Sequence, residues 1–217
     1  MENIPITSDI AKDLNGREVT YTKRDTPNFS NTQPGNAAFG EIGAAAAISS
    51  GNAHIRNSNV EDPAIAITYE LLRYLNDEYS LRVTESDTAK IKTSSTKKIA
   101  KHFNEDSDYV LDVQTMNWSC MYRPLDWSKY YVIYSVRLRL IDVSSSEKVA
   151  EGFYHWSTPK EHGYLSNNEL FRENAKELKY QLGMAKEGAV ALFKSKVLTT
   201  PIANKSMVST PEAAFLP

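Results

Sequence analysis

A nucleophilic thiol needs a base beside it, and Cys120 is the only cysteine in the sequence. It falls in phase with Trp118 and Tyr122 along an alternating stretch, which predicts a buried structural thiol. The acids Asp106, Asp108 and Asp112 precede and enter the same stretch. A carboxylate pair among them could do acid/base work, but the preferred reading is a solvated helix-to-strand connection. The four histidines, His54, His102, His155 and His162, have no helical zinc spacing, and no second cysteine is present to complete a metal site. No G-x-S-x-G, P-loop or G-x-G-x-x-G pattern occurs. Gly40-Glu41-Ile42-Gly43 lacks the phosphate-binding lysine and the strand–loop–helix spacing. The expectation is a chain without catalytic machinery, cofactor or metal, with an enzyme centred on Cys120 or on an aspartate in 106–112 as the alternative.

Two other sets of residues suit contact. Lys90, Lys92, Lys97, Lys98 and Lys101, with His102, form an acid-free run between Asp87 and Glu105. It fits either a solvated helix face or a surface for an acidic partner, with Lys97, Lys98 and Lys101 as candidate contacts. Aromatic residues crowd 109–156, where cross-strand pairs stabilise a sheet by about 0.2–1 kcal/mol each. Trp127 and Tyr131, in or beside a turn, and Trp156 are candidate anchors for a protein partner.

Elements must hold these residues in place. Glu18–Thr22 alternates and reads as a strand. A polar loop from Arg24 to Gly35 follows, then a small-residue segment, 36–53, that either packs on a sheet or meets another subunit or a membrane. Asp62-Pro63 starts a helix, with Ile65, Thr68, Leu72, Leu75 and Tyr79 on one face. Leu81–Thr84 is a short strand, and Ser95 or Thr96 caps a short helix. From Tyr109 to Val113 the odd positions are apolar; from Met116 to Tyr122 the even ones are. That phase change is what a bulge residue produces. Tyr130 to Leu140 alternates without a break, with Ser135, Arg137 and Arg139 on a wet side. Val149–Trp156 makes a third strand. A helix over about 167–197 places Phe171, Ala175, Leu178, Leu182, Ala185, Ala189 and Leu192 on one stripe. Outward pairs Glu169 with Arg172 and Glu173 with Lys176 can add a few tenths of a kcal/mol, about 0.2–0.5 each. Gly183 and Gly188 weaken this helix unless they permit close approach to the sheet.

The fold class is therefore α/β (α+β): a mixed sheet with a three-strand antiparallel meander, helices packed on it, in the order β-α-β-α-β-β-β-α. The predicted division is a flexible segment 1–16, one domain over 17–198 and a flexible tail 199–217. The chain has 217 residues and a net charge of −2, so it can bury a full core and has no global attraction to nucleic acid. No apolar run of about 20 residues exists to span a bilayer. The opening MENIPITSDIAKD has no basic or apolar leader region, which suits either a cytoplasmic chain or a trimmed form.

The run GEIGAAAAISSGN followed by VEDPAIAITYELLRYL, with DYVLDVQTMNWSCMY and YYVIYSVRLRLIDVSSSEKVAEGFYHW, resembles a group of uncharacterised bacterial envelope lipoproteins. The element order over residues 15–197 is similar to the fold of the TolB N-terminal domain, CsgG-type lipoproteins and the lipoprotein activators of penicillin-binding proteins. The resemblance implies a periplasmic protein tethered to the outer membrane, reaching the membrane only through a lipid anchor that this sequence does not include. It implies a protein partner in the cell envelope, no nucleic acid and no enzymatic turnover. A subunit of an oligomeric envelope assembly is a further alternative, and the oligomeric state stays open. No site residue carries over.

Overall fold

The computed structural model describes residues 3–85, 90–103 and 107–200. Six strands form one mixed sheet: β1 Glu18–Tyr21, β2 Ser30–Thr32, β3 Arg82–Val83, β4 Tyr109–Arg123, β5 Asp126–Asp142 and β6 Glu147–Ser157. The order is β3-β1-β4-β5-β6, with β2 also on β4. β1 and β2 pair with β4 in parallel, whereas β4, β5 and β6 run antiparallel. The helices are α1 Ser8–Asp13, α2 Pro34–Ala37, α3 Gly40–Asn57, α4 Pro63–Tyr79, α5 Thr96–His102 and α6 Asn167–Lys196. The mixed sheet and the antiparallel meander agree with the pattern of alternation in the sequence.

The bulge sits where the apolar phase changes. Thr115 faces Val136 and Asn117 faces Ser135, leaving Met116 without an opposite residue. Tyr130, Val132, Tyr134, Val136, Leu138 and Leu140 are all buried on the face that α4 and α6 cover. The opposite face is wet over only part of its length. At one end α5 lays Ile99, Ala100 and Phe103 on Val110, Ile141 and Val143 as a second, smaller core. There Arg139 is buried, contrary to a uniformly solvated side.

α4 begins as Asp62-Pro63 predicts, with the Asp62 carboxylate accepting from the Ala64 N–H at 3.0 Å. Its buried face is Ala64, Ile67, Thr68, Leu71, Leu72 and Leu75. Ile65 lies outside that face and is half exposed, because an apolar residue one step from Ala64 sits about 100° round the helix. In α3 the small residues have a packing cause. A Cβ at Gly51 would come 2.3 Å from the Phe29 carbonyl oxygen, so the helix rests directly on the chain entering β2. In α6 the same argument holds at Gly188, where a Cβ would meet the Tyr154 hydroxyl at 2.0 Å, and fails at Gly183, which faces open space.

Three segments depart from the expected picture. Residues 3–16 are tied down instead of frayed: Ile4 bridges Glu151, and Ile6 and Leu14 are fully buried in the main core. The polar loop after β1 contains β2, whose Ser-Asn-Thr sequence carries no alternation to read. α6 is broken at Arg172–Ala175, where Glu173, Asn174 and Ala175 take positive φ. Glu169 makes a reciprocal cap with Ser166 at the helix start, and neither anticipated outward ion pair forms. The tail from residue 201 lies outside the described residues.

Candidate functional site

Register fixes where the ends of the long strands lie. β4 runs toward Arg123, turns through Pro124 and Leu125, and returns as β5 from Asp126. β2 runs in the same direction beside Ser119–Met121, so the chain leaves Thr32 close to that turn and enters α2 and the start of α3 there. The hairpin tip and the α2–α3 junction thus share one end of the molecule.

Among the described residues the four most exposed large apolar side chains are all at this end: Leu125 at 96%, Ile42 at 79%, Phe39 at 68% and Trp127 at 67%. Trp127 is steered by a hydrogen bond from its indole N–H to the Pro124 carbonyl at 3.0 Å, leaving the ring in solvent. Arg123 places its guanidinium 4.2 Å from the centre of the Tyr164 ring, which braces the base of the hairpin. Tyr131 sits on the open face of the same hairpin, half-buried, with its hydroxyl on the Met121 sulfur at 3.2 Å. Trp156 does not join them. It faces Tyr134 across the β5–β6 pair and packs against the main core.

The lysine patch is elsewhere. Lys97, Lys98 and Lys101 project from α5, which covers the opposite end of β4 and β5, beside Val110 and Ile141. All three are exposed and form no ion pair with a described residue. The candidate contacts therefore divide between two ends and do not form one surface. Asp87 and Glu105, which bound the run in sequence, lie outside the described residues.

The catalytic candidates are held in other roles. Cys120 is fully buried, its thiol is pushed far up by burial, and it donates to the Asn31 side chain at 3.1 Å. Among the described residues its side-chain hydrogen-bond partner is this amide, which is not a base and also accepts from Asn167 at 2.8 Å. Asp112 is clamped between two cations. Arg24 donates to one carboxylate oxygen at 2.7 Å and Arg139 to the other at 2.7 and 3.0 Å, with the Thr22 hydroxyl at 2.7 Å. Burial alone would raise this carboxyl; the bonds and charges of Arg24, then Arg139 and Thr22, outweigh it and hold the group below the ordinary carboxylate range. An acid so fully engaged has no lone pair positioned for proton transfer. Asp108 accepts from the Glu18 N–H at 2.9 Å and faces Arg17 at 3.5 Å near the surface. Asp106 lies outside the described residues. His155 bonds Ser135 at 2.8 Å, and His54 stacks on Phe171. No group of three or more His, Cys, Asp or Glu converges to hold a metal among the described residues.

One feature carried no sequence signal. A cavity of about 490 Å³ opens beside the middle of β4, lined by the Thr22–Pro27 segment, the start of α4 and Lys90–Lys92. Asp62 was legible as a helix cap, yet it also lines this cavity, and its misplaced neighbour Ile65 forms part of the wall.

No protein-family model matches the chain, and no curated protein sequence matches it. Similar solved structures include a lipoprotein of Neisseria meningitidis, GNA1162, at 12% identity over 82% of this chain and 99% of that one, with a TM-score of 0.37. A protein of Xanthomonas campestris is 13% identical over 86% and 89%, with a TM-score of 0.41. The PelC dodecamer of Paraburkholderia phytofirmans is 14% identical over 79% and 88%, with a TM-score of 0.32. These are likenesses of chain path. Among the described residues, no helix is long and apolar enough to cross a membrane.

Proposed function

We propose that this chain is a non-catalytic interaction module of the bacterial cell envelope that docks a protein partner through its hairpin end. The observation that carries the reading is the gathering of Phe39, Ile42, Leu125 and Trp127 at one end, with every other large apolar side chain among the described residues no more than 56% exposed. Full burial of one such side chain contributes about 1.5–3 kcal/mol, so four can offset much of the entropy lost on association. Tryptophan is the residue type most often found at the centre of such contacts. The α5 lysines are separate from this surface and form at most a second, electrostatic contact. The envelope setting, with a tether to the outer membrane, rests on the sequence resemblance to envelope lipoproteins, as does kinship with TolB N-terminal, CsgG-type and penicillin-binding-protein-activator folds.

The test is capture from envelope extract with the wild-type chain, Trp127→Ala, and the pair Ile42→Ser with Leu125→Ser. Loss of the same captured partner in both variants, with unchanged melting curves, supports the reading. Capture that survives both variants removes the hairpin end as the contact. A variant pair that loses self-association alone would reassign the surface to a second copy of the chain.

A further inference from the structure

The edge of β4 is open over its middle. β1 pairs with Tyr109–Leu111 and β2 with Ser119–Met121, so residues 112–118 have a strand neighbour on the β5 side only. The Thr22 N–H donates to the Leu111 carbonyl at 3.1 Å. Backbone groups alternate sides along a strand, so the N–H and C=O of Val113 and Thr115 project to that same edge. No described residue bonds them. Both residues line the 490 Å³ cavity.

The gap is built, and three contacts hold it. Eight residues, 22–29, span the stretch that seven, 112–118, span on β4, so the outer segment bows away. Arg24 anchors the bow to Asp112, the Lys23 carbonyl accepts from the Ile91 N–H at 2.7 Å, and the Pro27 carbonyl accepts from the Trp118 indole at 2.9 Å. Segment 22–27 is thereby kept from closing onto β4 as a strand. Unpaired backbone groups along a strand edge need donors and acceptors, and an extended chain offers them at the matching repeat. The walls are mixed. Ile65, Tyr69 and Pro27 supply apolar surface, and the 7%-exposed carboxyl of Asp62, fixed by Thr115 and the Ala64 N–H, forms part of the floor. Of the lining cations, Lys23 is paired with Glu85, Arg24 with Asp112 and Lys90 with Asp25, while Lys92 has no acidic partner among the described residues. The volume falls in the range of small-ligand sites, about 300–1,000 Å³, and far exceeds that of a bridging water.

We propose that this cavity takes a short extended peptide with a free C-terminal carboxylate, which pairs as an added strand with Val113–Thr115 and sets its carboxylate at Lys92. Three residues span about 10 Å at the rise of a strand, which matches the open stretch. Backbone pairing supplies affinity in this mode, and the side chain turned toward Ile65 and Tyr69 selects for an apolar residue. This site is remote from Leu125 and Trp127, so its failure and the failure of the hairpin contact are separable.

The test is an amide-resolved NMR titration of the full-length chain with three probes: acetyl-Ala-Val-Ala as the free acid, the same peptide as its C-terminal amide, and the free acid N-methylated at all three residues. The free acid should move the Val113 and Thr115 amide resonances. Amidation, or Lys92→Met tested with the free acid, should weaken binding about tenfold, the effect of losing one charge-assisted hydrogen bond. The N-methylated probe, stripped of its strand-pairing donors, should not bind. Val113 and Thr115 amides that stay still at millimolar free acid overturn the proposal, and so does an N-methylated probe that binds as well as its parent. Equal binding of acid and amide overturns the role of Lys92.

Discussion

The two ends of the long β4–β5 pair solve opposite problems. At the α5 end both sheet faces are covered, and the Arg24–Asp112–Arg139 cluster, with Asp112 and Arg139 buried, sits on the α5 face beside the smaller core. At the hairpin end the strands run past their covering helices, and the most exposed apolar side chains of the described residues gather there. The first end covers both of its own faces; the second leaves apolar surface in solvent, which is the surface assigned to the proposed partner. Charge is buried where the chain needs a fixed register, and apolar surface is exposed where it needs a contact.

The largest effect that would break this contrast is loss of the central carboxylate. Asp112→Ala leaves two guanidinium groups buried and unpaired, and should cost about 3–5 kcal/mol in urea unfolding. Trp127→Ala should change stability by less than about 0.5 kcal/mol, as expected for an exposed side chain. Equal costs at the two ends would erase the distinction.

Acid sharpens it next. Asp112 is depressed in the folded state, so its contribution is present above the ordinary value of 3.8 and is lost as pH falls through the lower folded value. Asp62 has the opposite sign. Burial raises it, against the bonds from Thr115 and Ala64, so its folded form is favoured with the proton on and loses stability as pH rises through the raised value. Asp62→Asn, which keeps a capping oxygen, should therefore gain stability relative to wild type between about pH 4 and 7. Unfolding curves across pH 2–7 check both signs: the advantage of wild type over Asp112→Ala, and the advantage of Asp62→Asn over wild type, should each shrink as pH falls, and growth of either advantage with falling pH would reverse that assignment. A smaller effect concerns Cys120. Its thiol should react with a maleimide reagent only at the rate of unfolding, whereas fast labelling of the native chain would reopen the nucleophile reading.

Much of the closed end was legible because burial leaves periodicity. The alternation from Tyr130 to Leu140 fixed β5, and the phase change at Met116 fixed the bulge. Arg139 was misread as wet because period two says which side a residue takes and nothing about what covers that side. The exposed position of Trp127 was legible from its place beside a turn. The exposure of Phe39 and Ile42 was missed because the glycines and alanines around them read as packing, which Gly51 does satisfy. The cavity left no trace, since it depends on β1 and β2 meeting one edge of β4 with a bow between them, and β2 has no pattern to announce it. Ile65 was placed in the core by helical spacing; the true face is one residue round, and that shift exposes Ile65 to the cavity.

The central claim is that the hairpin end, and not the α5 end, meets the partner. A photo-crosslinking amino acid placed at position 127 or position 42, and in a separate chain at position 98, tests it in cells that produce the protein. The account predicts one shared adduct from positions 127 and 42 and none of that mass from position 98. An adduct formed from position 98 alone would contradict it.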